Sequence, residues 1–284
     1  MAKSWFQQQE IDNNFGIKRT DYIFTQNIET FDDIPVAFLD AIVNYIKTQR
    51  LLPNEIEQLS QLLQEAKKPE GKFRQKLLLA FAEGLLTEDF QPLDDDDYLG
   101  TFGETFFKWI RESFLGDKVL YCAPEFATGS STTQGVDYFE IVGDKNDLDS
   151  LYFVFWEIKG TDREVKSRSN EIYQQHKKRT GRLLRGLQRK LPDQYERENE
   201  PILRQFTSYL MDYWVNNGPQ KRLGGCVVYS IENQPGRVFT TFSKQLPDLA
   251  DKSCRPVCLI AIPHFSQVRA KVLELICEMI GLTL

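Results

Sequence analysis

The chain has 284 residues, of which 41% are hydrophobic and 12% aromatic, so it can bury a sizeable core in one large domain or in a domain with a smaller companion. Its longest apolar runs are far shorter than the roughly 20 residues that cross a bilayer, which excludes a membrane-spanning helix. The formal net charge of -6 is unusual for a nucleic-acid-binding protein, although an average conceals the distribution of charge along the chain.

Residues 1–97 are predicted to form a mainly helical N-terminal region. The first segment, MAKSWFQQQEIDNN, is polar and lacks the continuous apolar stretch of a secretory signal, so we expect an intracellular, cytoplasmic protein. From Asp32 to Leu86 apolar residues recur at helical spacing in three groups, which predicts a three-helix unit. The acidic run from Asp94 to Asp97 is typical of a solvated loop.

Residues 98–284 have the pattern of an α/β domain. A helix with aromatic residues at helical spacing is predicted from Tyr98 to Phe114, and it carries Glu104. Three strands follow, and the turn-forming run GDKNDLDS between the second and the third predicts a β-hairpin. The strands are predicted at Lys118 to Ala123, Gly135 to Val142 and Leu151 to Lys159.

The charge of the chain changes sharply after the third of these strands. From Lys159 to Lys190 there are eleven lysines and arginines against three acidic residues. Leucines at helical spacing from Leu183 to Leu191 predict that the later half is a basic amphipathic helix. Because one sign of charge dominates, we expect an acidic partner, either nucleic acid or an acidic protein surface. The residues expected to bind nucleic acid are Lys177, Lys178, Arg179, Arg182 and Arg185.

The remaining elements complete a predicted α/β fold with a central mixed sheet flanked by helices. Pro201 suits the first turn of a helix, and the run NNG after Val215 ends it. Two strands and a less regular third one precede a terminal helix. These four elements are predicted near Gly225 to Ile231, Val257 to Ile262, Val238 to Phe242 and Phe265 to Ile280.

The five cysteines are scattered, and their odd number argues against a disulfide framework. Cys254 and Cys258 are the only close pair, with His264 nearby. Their spacing and the lack of a second cysteine pair fit a zinc module poorly.

Two strands of the predicted hairpin carry a set of residues suited to phosphodiester hydrolysis. Glu157 and Lys159 are two residues apart, so on a strand they point to the same face, and Asp137 can lie beside Glu157 on the neighbouring strand. Two adjacent carboxylates repel unless a cation lies between them, and oxygen ligands suit Mg²⁺ or Mn²⁺. Lys159 can position or help deprotonate a water molecule, or neutralise charge on the reacting phosphate.

A second interpretation of these residues needs no chemistry. Asp137 can be a residue of the turn at the end of a strand, and Glu157 with Lys159 can be an exposed ion pair on an edge strand. The catalytic interpretation is favoured because the run YFVFW should be buried, so that charged residues at its end mark the rim of a cleft.

Glu104 is the fourth candidate for the catalytic and metal-binding site. A buried acid without a partner is costly on an aromatic-rich helix, which favours a role in the site. A glutamate in the first turn of a helix is also favoured by the helix dipole alone. Gln174 and Gln175 are further candidates for phosphate contacts, whereas the adjacent His176 is expected to be a surface histidine.

The order of these motifs resembles the HamA family, the nuclease subunits of the Hachiman antiphage defence system. The likeness consists of a helix with GE, a strand with GVD, a strand ending in EIK and a basic helix, and it covers residues 99–214 best. It implies a restriction-endonuclease-like core of the PD-(D/E)XK type and an Mg²⁺-dependent deoxyribonuclease. It also implies a helicase partner similar to HamB, with release or activation on phage infection or DNA damage. By motif match, Asp137, Glu157 and Lys159 would be catalytic, with Glu104 beside them.

Two other functions stay open on the sequence alone. One is a stand-alone restriction-type endonuclease, although the chain has no separate recognition module such as a helix-turn-helix. The other is a non-catalytic subunit that keeps a nuclease-like fold and binds DNA or a protein through its basic helix. The complete set of two acids and a lysine argues against the second, because a structural role gives no reason to hold like charges together.

Overall fold

The fold is built on one mixed β-sheet that has helices on both of its faces. The computed structural model describes residues 2–50, 55, 57, 86, 95–123, 137–178, 182–233 and 235–279. Within these residues the sheet has seven strands. They are β1 (Phe6–Ile11), β2 (Lys18–Phe24), β3 (Val119–Ala123), β4 (Tyr138–Val142), β5 (Tyr152–Thr161), β6 (Lys221–Ser230) and β7 (Pro256–Ile262).

The helices divide between the two faces of the sheet. Buried residues of α1, α2 and α8 form one hydrophobic cluster with the sheet, and those of α3 to α7 contribute to two clusters on the opposite face. The helices are α1 (Val36–Arg50), α2 (Asp95–Leu115), α3 (Val165–Lys178), α4 (Arg182–Arg197), α5 (Pro201–Ser208), α6 (Leu210–Asn216), α7 (Phe242–Gln245) and α8 (Phe265–Met279).

The strands lie in the order β1-β2-β7-β6-β5-β4-β3. Strands β2, β7, β6 and β5 run parallel to one another, whereas β1 is antiparallel to β2, and β3, β4 and β5 form an antiparallel meander. Parallel strands of this kind are buried on both faces and have nearly continuous apolar sequences, which β5 and β7 show. The α/β class with a central mixed sheet flanked by helices is therefore confirmed.

Alternation of side chains along β5 divides its residues between the two faces of the sheet. Phe153 and Phe155 pack with α4, α5 and α6, while Trp156 and Ile158 pack with α2 on the other side. All four are at most 2% exposed. Burying each such side chain stabilises the fold by about 1.5–3 kcal/mol. The central strand that carries the candidate site is therefore held rigidly from both sides.

The hairpin and the C-terminal elements agree with the sequence analysis. Strands β4 and β5 pair antiparallel across the predicted turn, and the predicted aromatic helix is the greater part of α2. Asp95 to Asp97 are helical, so the predicted acidic loop is wrong at these positions; Asp94 lies outside the described residues. Carboxylates at the start of a helix are favoured by the helix dipole, which accounts for the difference.

The N-terminal region contributes strands as well as helix. Helix α1 confirms the first of the three predicted helices, and the other two fall almost entirely outside the described residues. Strands β1 and β2, which the sequence analysis did not predict, extend the same sheet because β2 pairs with β7. The division of the chain at residue 97 stays a prediction.

The helix predicted from Pro201 to Val215 is broken into α5 and α6 at Tyr209. The side chain of Gln188, on α4, donates to the carbonyl oxygen of Ser208 and accepts from the amide of Met211 at 3.2 Å. Ser208 also donates back to Arg204 O at 2.8 Å, a bond that bends helices. The glutamine amide thus replaces backbone hydrogen bonds that a continuous helix would make.

The strand predicted near Val238 to Phe242 does not form. Phe239 has φ of 57°, which is left-handed and incompatible with an extended strand, and α7 begins at Phe242. The aromatic side chains there are buried against Ile172 and Val227 instead. Apolar content alone therefore gave the wrong element for a segment that covers the sheet as an irregular loop.

The basic stretch forms two helices, α3 and α4, rather than one. Leu184, Leu187 and Leu191 are buried, which confirms the predicted apolar face on α4. The cysteines are free, and Cys254 and Cys258 belong to different hydrophobic clusters, so they do not form a shared site. In the described part of the chain, no helix combines the length and the apolarity that crossing a membrane requires.

Candidate active site

Glu157 and Lys159 lie on β5, in the interior of the sheet. This strand has β4 on one side and β6 on the other, and Glu157 is only 4% exposed. The interpretation of the two residues as an exposed ion pair on an edge strand is therefore wrong. A carboxylate this deeply buried requires compensating charge or hydrogen bonds.

Asp137 lies immediately before β4 rather than within it, and its carboxylate is fixed against β5. Its Oδ2 accepts a hydrogen bond from the backbone N–H of Ile158 at 2.6 Å. Because Tyr138 is paired with Trp156 in the ladder, this bond continues the pairing of the strands through a side chain. The carboxylate of Asp137 is thereby held at the segment of β5 that carries Glu157 and Lys159.

Lys159 and Glu157 form a close ion pair, as their spacing on one face of a strand requires. Lys159 Nζ lies 2.6 Å from Glu157 Oε1. Burial lowers the pKa of the lysine. The negative charges of Glu157, Asp137 and, more weakly, Glu104 raise it by more than burial lowers it, so the net pKa is raised. The raised pKa favours the ammonium form of Lys159, which pairs with Glu157.

Glu104, on α2, belongs to the same electrostatic cluster. Burial is the first cause that raises its pKa well above the ordinary value, and the negative charges of Asp137 and Glu157 raise it further, while Lys159 lowers it. The charges of Asp137, Glu157 and Lys159 therefore all act on Glu104. The alternative role of Glu104 as a first-turn dipole partner is wrong, because it lies in the third turn of α2.

The donor chemistry of the cluster fits a hard divalent cation. Glu104, Asp137 and Glu157 offer carboxylate oxygens, which Mg²⁺ and Mn²⁺ prefer. As the side chains stand, no group of three or more His, Cys, Asp or Glu residues in the described ranges is arranged to hold a metal ion. One oxygen of Glu157 contacts Lys159 and one of Asp137 accepts from Ile158, so any cation would share carboxylates that already have partners.

The three candidate residues on α3 differ in their exposure to solvent. Gln174 and Gln175 are exposed, and a phosphate contact from either stays a prediction. His176 is buried, with its Nε2 2.8 Å from Gly224 O and its ring edge against Phe242, so the expectation of a surface histidine is wrong. It joins α3 to β6 through this bond.

Two of the predicted nucleic-acid-binding side chains are described, and both are exposed. Lys177 donates to Gln245 Oε1 at 2.5 Å, at the end of α3, and Arg185 lies on the outer side of α4. Arg179 lies outside the described residues, as do the side chains of Lys178 and Arg182. Nucleic-acid binding by this segment stays a prediction.

Arg111 and Glu140 form a buried ion pair that was not predicted from the sequence. Arg111, on α2, donates to Glu140, on β4, and Trp156 Nε1 donates to the same carboxylate at 2.8 Å. The guanidinium group also lies over the ring of Trp156, 4.8 Å from its centroid. An acid within the apolar strand YFEIV was a signal of a buried partner, since such residues are rarely buried alone.

We expect Glu104→Gln to stabilise the metal-free protein at neutral pH. The raised pKa means that the native state holds this proton more tightly than the unfolded chain, so wild-type stability falls as pH rises from the ordinary value of about 4.3 through the raised pKa. The side chain of glutamine cannot ionise, so the variant does not lose this stability as the pH rises. The gain in melting temperature should therefore be present above the raised pKa and vanish below about pH 4.

Thermal unfolding of both proteins across this pH range, with a chelator present, measures the effect. Glu171→Gln is the matched control, because Glu171 is partly exposed in an ion pair with Arg168 on α3. A gain that does not change with pH would contradict the electrostatic explanation.

The four side chains Glu104, Asp137, Glu157 and Lys159 are the strongest indication of function in the described residues. They come from a helix, from the residue before β4 and from β5, and they interact through charge and through hydrogen bonds. Compared with known proteins, the chain matches no protein-family model and no curated protein.

Proposed function

We propose that the protein is a metal-dependent nuclease that hydrolyses DNA phosphodiester bonds, with a restriction-endonuclease-like core of the PD-(D/E)XK type. The observation that carries this proposal is the interaction of Lys159 with three carboxylates: its Nζ lies 2.6 Å from Glu157 Oε1, and the charges of Asp137 and Glu104 also act on it. Like charges held together raise the free energy of the folded protein unless a cation or a proton compensates them. A structural role would not require such an arrangement, whereas a divalent cation and a phosphate would both use it.

The surrounding fold is compatible with this proposal. Strands β4 and β5 form the hairpin that carries Asp137, Glu157 and Lys159, and helix α2, which precedes them in the chain, supplies Glu104. Strand β6 extends the sheet in parallel to β5 after α3 to α6. Many functions occur on α/β folds, so the proposal depends on the site and not on the fold.

Each residue has a distinct role in the proposed reaction. Asp137 and Glu157 would hold the cation, with Asp137 aligned by the Ile158 amide and Glu157 by Lys159. The ammonium group of Lys159 donates to a phosphate oxygen or to the attacking water and stabilises the charge that develops on the phosphate. Because the pKa of Glu104 is raised, binding of a cation beside this carboxyl group would release its proton to solvent. When bound, Mg²⁺ or Mn²⁺ would act as a Lewis acid and lower the pKa of that water.

The biological setting that we propose is that of a DNA-degrading effector in an antiphage defence complex. The likeness of the motif order to HamA proteins favours this setting, and with it a helicase partner similar to HamB. The one-sided charge between Lys159 and Lys190 favours an acidic ligand next to the site. A stand-alone restriction-type endonuclease is the second enzyme candidate, favoured by the completeness of the site within one chain.

Cleavage assays on the purified chain test the proposal. We expect the protein to degrade plasmid and linear DNA when Mg²⁺ or Mn²⁺ is present and to be inactive with a chelator. Assays with a co-purified helicase test whether a partner restrains or activates the enzyme, and an RNA substrate of the same sequence tests the choice of nucleic acid. Absence of cleavage with every substrate, cation and partner would favour the non-catalytic binding subunit.

DNA binding by the basic segment has its own expected result. Lys177→Ala and Arg185→Ala should each weaken DNA binding to a similar degree on all sequences, because phosphate contacts carry no sequence information. Each change should also reduce the slope of log affinity against log salt by about 0.9. Fluorescence anisotropy at several salt concentrations measures both quantities. Lys145→Ala, an exposed lysine paired with Glu200, is the control, and an equal loss there would contradict the assignment.

A further inference from the structure

Tyr209 is an exposed aromatic residue at the break between α5 and α6. It is 50% exposed, and among the large hydrophobic side chains exposed in the described part of the chain it is the only aromatic one. The ring of Tyr213 lies on one side of it, with the ring centroids 6.4 Å apart. A tyrosine ring has few rotamers to lose and a flat face on which another ring can stack. Tyr209 therefore offers a stacking surface to a ligand.

Helix α4 has a basic stripe on the flank that borders this ring. Arg185 and Arg189 are four residues apart, so their side chains lie on one face of the helix, about one turn apart. Both are exposed, and neither forms an ion pair with another described residue. From Arg182 to Lys190 the helix has four basic residues and no acidic one. This half of α4 therefore presents positive charge to solvent.

Two contacts of α4 with the following helices place the ring beside this charge. Glu196, seven residues after Arg189 and so on the same stripe, pairs with Arg204 of α5 at 3.2 Å. One end of α5 thus borders the stripe. Nearer the start of α4, the side chain of Gln188 hydrogen-bonds to the backbone on both sides of Tyr209. The helices run antiparallel, and the break lies against the turn of α4 that carries the two arginines.

This surface lies on the same face of the sheet as two residues of the proposed site. Trp214, toward the far end of α6, packs on Phe155 with ring centroids 5.4 Å apart. Side chains alternate along a strand, so Phe155, Glu157 and Lys159 share one face of β5. A nucleic-acid strand bound along α4 would therefore lie on the side of the sheet to which Glu157 and Lys159 point.

We propose that Tyr209, Arg185 and Arg189 form a binding surface for single-stranded DNA, in which a base stacks on the tyrosine and the arginines contact phosphates. A single strand presents the flat faces of its bases, whereas a duplex keeps them in its own stack, so an exposed ring beside positive charge fits the single strand. An acidic protein surface would use the arginines without the ring. The inference rests on the proposed function and deepens it, because it names the form of DNA that is bound.

Fluorescence anisotropy with a chelator present measures binding without cleavage. The labelled probes are an oligothymidylate of about 16 nucleotides, a duplex of the same length and a polyglutamate peptide. Tyr209→Ala should weaken binding of the single strand by about 5-fold to 150-fold, which is the effect of losing one stacked base, and should leave duplex binding unchanged. Tyr209→Phe keeps the ring and should bind both forms of DNA like the wild type.

The arginines and two controls complete the set of variants. Arg189→Ala should weaken binding of both forms of DNA and reduce the slope of log affinity against log salt by about 0.7 for the single strand. Val215→Ala removes another exposed side chain of α6, and Arg204→Ala removes a charge that Glu196 already neutralises. Neither control should change the affinity for the single strand. Circular dichroism checks that every variant is folded.

Equal losses of single-strand and duplex affinity in Tyr209→Ala would overturn the inference, and so would no loss of either. Polyglutamate that binds more tightly than the single strand, and is weakened by Arg189→Ala but not by Tyr209→Ala, would overturn it in favour of an acidic protein partner. A wild type that binds the single strand as expected but cleaves no DNA with Mg²⁺ would overturn the proposed function alone. A wild type that cleaves DNA, with Tyr209→Ala binding the single strand equally well, would overturn the inference alone.

Discussion

Glu157→Gln should abolish metal-dependent cleavage of DNA while the protein stays folded. Glutamine has nearly the shape of glutamate, so the buried position next to β4 and β6 keeps its packing. The substitution removes a negative charge from the proposed cation site and weakens the ion pair that holds Lys159. Loss of a single group that stabilises a charged transition state costs about 10²–10³-fold in rate, and loss of a metal ligand should cost at least as much.

Initial rates on supercoiled plasmid at several Mg²⁺ concentrations measure this effect, with circular dichroism as the check on folding. Lys159→Met should lose a similar factor in rate but retain Mn²⁺ binding, because Lys159 is not a ligand. Glu171→Gln on α3 makes the same change of charge at a partly exposed position and should cleave like the wild type. Cleavage at the wild-type rate by both Glu157→Gln and Lys159→Met would remove the site assignment.

Arg111→Met should produce the largest loss of stability among the substitutions considered. It leaves Glu140, which is fully buried, with the indole N–H of Trp156 as its remaining hydrogen-bond donor among the described contacts. Removing one partner of a buried ion pair costs about 3–5 kcal/mol because the other charge is left uncompensated in a medium of low dielectric constant. The lost stacking of the guanidinium group on Trp156 adds to this cost.

Denaturant unfolding of Arg111→Met, Glu140→Leu and the double variant measures the coupling between the two residues. The double variant should recover a large part of the loss, since replacing both members of a buried pair with apolar residues is often neutral or stabilising. A double variant no more stable than the worse single variant would show that the pair has another function. Among the described residues, the buried Arg111 Nε and Glu140 Oε2 atoms have no hydrogen-bond partner, which already indicates that the pair is not fully satisfied.

The position of Asp137, Glu157 and Lys159 on neighbouring segments was predictable from sequence because its signals are local. The two-residue spacing of Glu157 and Lys159 and the apolar run before them define a strand and a face, and the turn GDKNDLDS places Asp137 beside them. Glu104 could be proposed only from its position on an aromatic helix, because nothing local shows where that helix crosses the sheet. The crossing depends on Gly103 and Gly160, which lie in different elements and are ordinary glycines in the sequence.

Three features of the fold were not predicted from the sequence, and each has a physical reason. The first strand has the sequence FQQQEI, in which four of the six residues are exposed because the strand is at the edge of the sheet. It therefore lacks the alternation that indicates a strand with one buried face. The break at Tyr209 is imposed by Gln188, a residue of another helix, and Phe239 adopts a conformation that its neighbours in the sequence do not indicate. Tertiary contacts decided these three cases.

The pairing of β2 with β7 joins segments from opposite ends of the described chain. During synthesis, residues 6–24 leave the ribosome long before residues 256–262. The pair β1 and β2 therefore lacks its neighbour β7 at first, and a hairpin of two strands alone is marginally stable in water. Contacts so distant in sequence also slow folding. Until the last strand arrives, the newly made chain exposes an unpaired edge that can bind a chaperone or another nascent chain.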